Sequence, residues 1–207
     1  HETGQKKEEK TNVAPCMDVP FSSVCDQLTV AMHNVTYRTD ILQKNNIHLD
    51  NCFYTDAEYL LYPIPYVKTV TVAPQTIYMY RVSLSTQSMN INSLQRNCAM
   101  HELVLGHLSD AYAAYENSGT SEPKIAAFLR RNIARIAGMQ LFIYLTATDS
   151  KAAKQSAKAM VKTIKGKSET LYTELNGAKS FKMLTSTNFL LFPVLASMKK
   201  REVGAND

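Results

Sequence analysis

The chain has 207 residues, 45% of them apolar and 20% charged, enough apolar side chain to bury a core, which excludes a disordered polyelectrolyte. That length suits one large domain, or a small domain with an appendage. The net charge of +5 is uneven: residues 151–207 carry eleven Lys and Arg against four Asp and Glu, and residues 1–150 carry twelve against fourteen, so an anionic partner is expected at the tail.

Residues 1–10 are polar, with a turn at Glu2-Thr3-Gly4-Gln5. Because the chain starts at His1 and no apolar leader precedes the first polar run, the reading is a fragment cut upstream. Residues 13–25, punctuated by Pro15 and Pro20, read as an ordered loop, and residues 24–32 as a short helix or strand. A brief helix is expected over 39–44, closed by Asn45-Asn46, since Asn tolerates left-handed C-cap geometry. Thr55-Asp56-Ala57-Glu58 matches a capping box, with a short helix to Leu61 that stops before Pro63 and Pro65. Period-two runs at 67–72 and 77–82, separated by Ala73-Pro74-Gln75, predict a β-hairpin.

Helices then take over. Leu94, Cys98, His101, Leu105, Leu108, Tyr112 and Tyr115 recur at steps of three and four, with Ser93 as N-cap. Pro123 opens a second helix to about 145, a third spans 150–175, and a fourth covers 180–200 with Pro193 as an interruption. The densest apolar run, 189–195, has seven residues, against about 20 for a membrane span. Flanked by Lys179, Lys182, Lys199, Lys200 and Arg201, it reads either as a segment lying on a membrane surface or as a helix closing a small bundle with a solvated basic face.

Four cysteines (Cys16, Cys25, Cys52, Cys98) show no CxxC pair or metal-ligand spacing. They read as reduced thiols, with a Cys16–Cys25 disulfide as the alternative. Asn34-Val35-Thr36 is a glycosylation sequon of the kind chance often produces. There is no phosphate-cradling glycine loop, HExxH or nucleophile elbow. The candidate chemistry therefore gathers between His33 and Ser88.

Three blocks there resemble family 2 glycosyltransferases. The run Met32-His33-Asn34-Val35-Thr36-Tyr37-Arg38-Thr39-Asp40-Ile41-Leu42 is similar to the segment after their nucleotide-binding half. Asn46-Ile47 and Phe53-Tyr54-Thr55-Asp56 resemble their acidic motif, and Tyr78-Met79-Tyr80-Arg81 with Gln87-Ser88 their strand and loop near the donor diphosphate. The blocks keep the family's order and cover roughly residues 1–118. The resemblance implies an α/β fold, namely a partial GT-A type domain over 1–118 without its nucleotide-binding half, followed by a helical extension over 119–207. It implies a transferase that moves a sugar from a nucleotide-sugar donor to a hydroxyl of a surface glycan or lipid-linked acceptor, in the cytoplasm at the inner face of the membrane.

On that resemblance Asp56 is the catalytic base. Arg81, Gln87 and Ser88 bind donor phosphate, and Tyr37, Arg38 and His33 are candidate substrate contacts. A base at a helix start is chemically apt, since the dipole and free amides favour negative charge and fix its direction. An arginine ending a strand can grip phosphate at two points. The plainer readings are a first-turn acid that stabilises its helix for Asp56, an ion pair for Arg81, and structural roles for His33, His101 and His107. The family often has Glu-Asp where this chain has Thr55-Asp56. A divalent metal, Mg or Mn, is implied, its Asp-x-Asp motif expected upstream because no such triplet occurs here. The rival is a non-enzymatic helical module that binds a membrane or partner through its basic face. Nucleic acid is not an expected partner, since the tail has Tyr144 and Tyr172 near it but no interleaved aromatic platform.

Overall fold

The computed structural model describes residues 13–75, 78 and 90–204. Of the described residues, 66% are helical. The fold opens with strand β1 (Cys16–Pro20) and a single helical turn, α1 (Phe21–Val24). A 3-10 turn (Met32–Asn34), helices α2 (Thr39–Lys44) and α3 (Asp56–Leu61), a second 3-10 turn (Ile64–Tyr66) and strand β2 (Thr69–Val72) follow. Helices α4 (Ile91–Arg96), α5 (Cys98–Glu116), α6 (Pro123–Thr146), α7 (Ser150–Lys167), α8 (Glu169–Asn176), α9 (Lys179–Ser186) and α10 (Phe192–Gly204) complete it.

The run expected as the first hairpin strand is a strand, but its partner comes from the segment read as a loop. β2 pairs antiparallel with β1, with Cys16 opposite Val72 and Val19 opposite Val70. The ladder is irregular between Cys16 and Val19, where Asp18 takes a φ of 50° and its N–H donates to the Thr71 hydroxyl. Apart from Tyr78, the expected second hairpin strand lies outside the described residues. Among the described residues these two short strands are the whole of the sheet, where an α/β acceptor-side portion was expected. The four cysteines are free. Instead of meeting Cys16, the buried Cys25 thiol donates weakly to the Lys124 carbonyl at 3.7 Å, and burial pushes its pKa up, helped by nearby Asp26.

α6 is the central helix. It starts with Pro123 in its first turn, where a missing N–H costs nothing, and it buries residues on nearly every side, from Ile125 and Phe128 to Gln140 and Tyr144. α5, α7, α8 and α10 pack around it. One buried cluster crosses residue 118, joining Phe21, Leu61 and Leu105 to Phe128, Leu171 and Phe192.

Four helix boundaries differ from expectation, one of them a break at Asn97 that divides the expected stripe between α4, which holds Leu94, and α5, which holds the rest. The N-cap before the long apolar stripe is Asn90, whose side chain accepts from the Asn92 N–H, while Ser93 is buried inside α4. The expected 150–175 helix breaks at Ser168, which adopts extended backbone and caps α8 by accepting from the Leu171 N–H. Pro193 opens α10 rather than interrupting a helix; the break falls earlier, at Asn188 and Phe189 with φ of 47° and 62°.

Candidate functional site

The segment leading into α3 carries the most unusual backbone near a candidate residue. Tyr54 has a φ of +73°, which a bulky L-residue adopts only when its surroundings impose it. The surroundings are visible. The Tyr54 ring stands edge-on against His101 of α5 at 5.0 Å. His101 in turn is buried, with Nδ1 at 2.7 Å from Gln140 Oε1. A carbonyl oxygen only accepts, so His101 carries its proton on Nδ1. Burial pushes the His101 pKa down, against smaller upward influences from Gln140 and Asp56.

Asp56 follows as the first residue of α3 and is exposed. Phe53, 52% exposed, stands beside it in sequence. The capping box does not form: Thr55 makes no side-chain cap bond, and Glu58 turns inward. Glu58 is fully buried; its Oε2 accepts from the Asp50 N–H at 2.9 Å and its Oε1 from the Tyr62 hydroxyl at 3.0 Å. Residues two positions apart on a helix differ by about 200° around the axis, so anchoring Glu58 in the interior turns Asp56 outward. A buried acceptor with two donors is worth more than a cap contact in water, which is why the inward arrangement wins.

His33 sits exposed on the first 3-10 turn, which packs against α3, and its ring stacks on Tyr78 at 4.8 Å. His33 and Tyr78 are thus brought to α3, the helix that begins with Asp56. Arg81, Gln87 and Ser88 lie outside the described residues. Tyr37 supports α3 from behind: its hydroxyl donates to the Leu60 carbonyl at 2.8 Å, and its ring meets Tyr59 edge-on at 5.5 Å. Burial raises the Tyr37 pKa well above its ordinary value, with Tyr59 adding to the effect. The exposed Arg38 is engaged with Asp40 at 3.1 and 3.2 Å, at the start of α2.

Sequence reasoning passed over one cluster. Asp50 Oδ2 lies 2.7 Å from His107 Nδ1, which is also 3.8 Å from Glu58 Oε1, so these side chains offer three ligand-type atoms within 4.8 Å. The metal implied by the resemblance does not suit them. Mg and Mn favour oxygen ligands in near-octahedral array, whereas here each Glu58 oxygen already accepts a hydrogen bond and the third atom is an imidazole nitrogen. Its Glu58 also lies on the opposite side of α3 from Asp56. The cluster works as a bracket tying the 45–54 loop to α3 and α5. Only Tyr62, four residues after Glu58, could have signalled it locally.

A cleft of 470 Å³ between the second 3-10 turn, α5 and α6 is lined by Leu61, Tyr66, Leu108 and Tyr115 among others. Among the described residues no charged side chain lines it, and it opens by the C-terminal end of α3, away from Asp56. It offers volume without convergent chemistry. No family model matches this chain, and neither the curated proteins nor the solved structures provide a match.

Proposed function

We propose that residues 1–118 belong to the acceptor side of a family 2-type glycosyltransferase in which Asp56 is the general base. The reading is supported above all by one observation: the outward-facing carboxylate of Asp56 follows a Tyr54 held at positive φ. Strain of that kind costs of order 1–3 kcal/mol and concentrates where a side chain must be aimed.

In the proposed reaction Asp56 accepts the proton of an acceptor hydroxyl while that oxygen bonds to the anomeric carbon of the donor sugar. The bond from that carbon to the nucleoside diphosphate breaks with its electron pair leaving on the diphosphate, and configuration inverts. Arg81, Gln87 and Ser88 are assigned to the diphosphate, and His33 with Tyr78 to the sugar or acceptor edge. Tyr37 and Arg38 belong to the support of α3 and α2. A divalent metal would offset diphosphate charge, and the ligands for it are assigned to a nucleotide-binding half outside these residues.

The test is Asp56→Asn in the chain joined to its nucleotide-binding half, reading nucleoside diphosphate release from nucleotide sugars in the presence of envelope glycan. Loss of a general base lowers turnover by about 10²–10⁴-fold, with the circular dichroism spectrum unchanged. Unaltered turnover in the Asn variant would remove Asp56 from the mechanism.

A further inference from the structure

α7 places five lysines, Lys151, Lys154, Lys158, Lys162 and Lys165, at steps of three and four. At 100° per residue they share an arc of about 80° and run about 21 Å along the axis. α7 contains no Asp or Glu. Its remaining lysine, Lys167, pairs with Asp110 at 2.7 Å, and among the described residues none of the other five has a carboxylate partner. The buried face of the helix, Ala153, Ala157, Met160, Val161 and Ile164, turns to the core; along its edge Lys151, Lys162 and Lys165 are exposed, Lys165 with its ammonium 4.7 Å over the Tyr172 ring, while Lys154 and Lys158 are half-buried.

A lysine stripe by itself is a solvated helix face. What distinguishes this one is its neighbour. Leu190, Val194 and Met198 follow one another at steps of four and are 74%, 55% and 54% exposed, an apolar ridge on α10 and the turn before it. α10 packs against α7. The Lys158 ammonium lies 5.9 Å over the ring of the buried Phe189, the residue preceding Leu190, so the stripe reaches the turn from which the ridge starts. Aliphatic side chains beside aligned cations match the interface of an anionic bilayer, where the chains enter the acyl boundary and the lysines meet headgroups. Single-stranded nucleic acid would call for aromatic stacking surfaces instead.

We infer that α7 and α10 form a docking face for an anionic lipid bilayer, with Leu190, Val194 and Met198 inserted and the α7 lysines on the headgroups. The inference stands apart from the chemistry of Asp56. Each lysine near such a surface strengthens partition by about fivefold.

The test is flotation of the protein with phosphatidylcholine vesicles, with and without phosphatidylglycerol. Binding is expected only to the anionic vesicles and weakens as salt rises. The triple change Lys154→Gln, Lys158→Gln, Lys162→Gln lowers partition by about 10²-fold. Because the sequence has no Trp, Val194→Trp supplies a single reporter on the ridge, and its emission shifts to the blue when vesicles are added. Circular dichroism establishes that each variant is folded. Equal binding to neutral vesicles, an unchanged partition in the triple variant, or an unshifted Val194→Trp emission would each overturn the inference. So would capture of RNA in preference to vesicles.

Discussion

Asp56 and Glu58 are two residues apart on one six-residue helix and have opposite fates: Asp56 is exposed, and Glu58 is wholly buried with both oxygens hydrogen-bonded. The second arrangement directs the first. A carboxylate anchored inside fixes the rotation of α3 about its axis, and the strained Tyr54 fixes where that helix starts.

Glu58 should therefore matter to folding before it matters to chemistry. Glu58→Ala leaves the Asp50 N–H and the Tyr62 hydroxyl without their acceptor, costing about 2–6 kcal/mol in total. Glu58→Gln keeps one acceptor oxygen and should lose less than half as much. Urea unfolding of the three proteins measures this, and an Ala variant as stable as the parent would show that the bracket carries no weight.

His101 should titrate below the ordinary histidine value of about 6.5, because burial disfavours its charged form. A depressed folded pKa means that the folded state resists a proton the unfolded chain accepts. Its contribution to stability is complete above about pH 6.5 and fades as pH falls toward the folded value. Histidine ring proton shifts followed through an acid titration resolve it. A His101 midpoint at or above 6.5 would show that the ring is hydrated rather than packed under Tyr54.

Glu116 predicts an effect at lower pH. Burial pulls its pKa up, but hydrogen bonds from Thr170, Ser168 and Tyr112, together with the charge of Arg130, outweigh that and hold it below its ordinary value. Stability from this group is present above about pH 4.3, the unfolded value, and is lost as pH falls through the lower folded one. The difference in melting temperature between the parent and Glu116→Gln should thus be largest near neutrality and shrink below pH 4. A difference independent of pH would mean that the glutamate acts through packing.

The network around Glu116 also shows why part of the fold was hidden. The high-propensity run over 150–175 reads as one helix because nothing local stops it. It stops at Ser168 because that hydroxyl both caps α8 and donates to Glu116 Oε2 at 2.7 Å, 52 residues away in sequence. The candidate site divides in the same way. Asp56 could be placed at the start of a short helix from Thr55-Asp56-Ala57-Glu58 and the prolines that follow, whereas the Asp50–Glu58–His107 bracket could not be read, because it joins a loop, a short helix and a position on α5 57 residues from Asp50.

The amino-acid order determined what neighbours along the chain can decide: α5 and α6 through their periodicity and Pro123, the turn of α2 closing at Asn45, and the strand-forming run of β2. Tertiary structure decided the pairing of β2 with β1, the break at Ser168, the inward turn of Glu58 and the packing of α7 against α10. Those outcomes depend on contacts between distant segments. A period-two or period-four pattern states which face of an element seeks cover, and packing chooses what covers it.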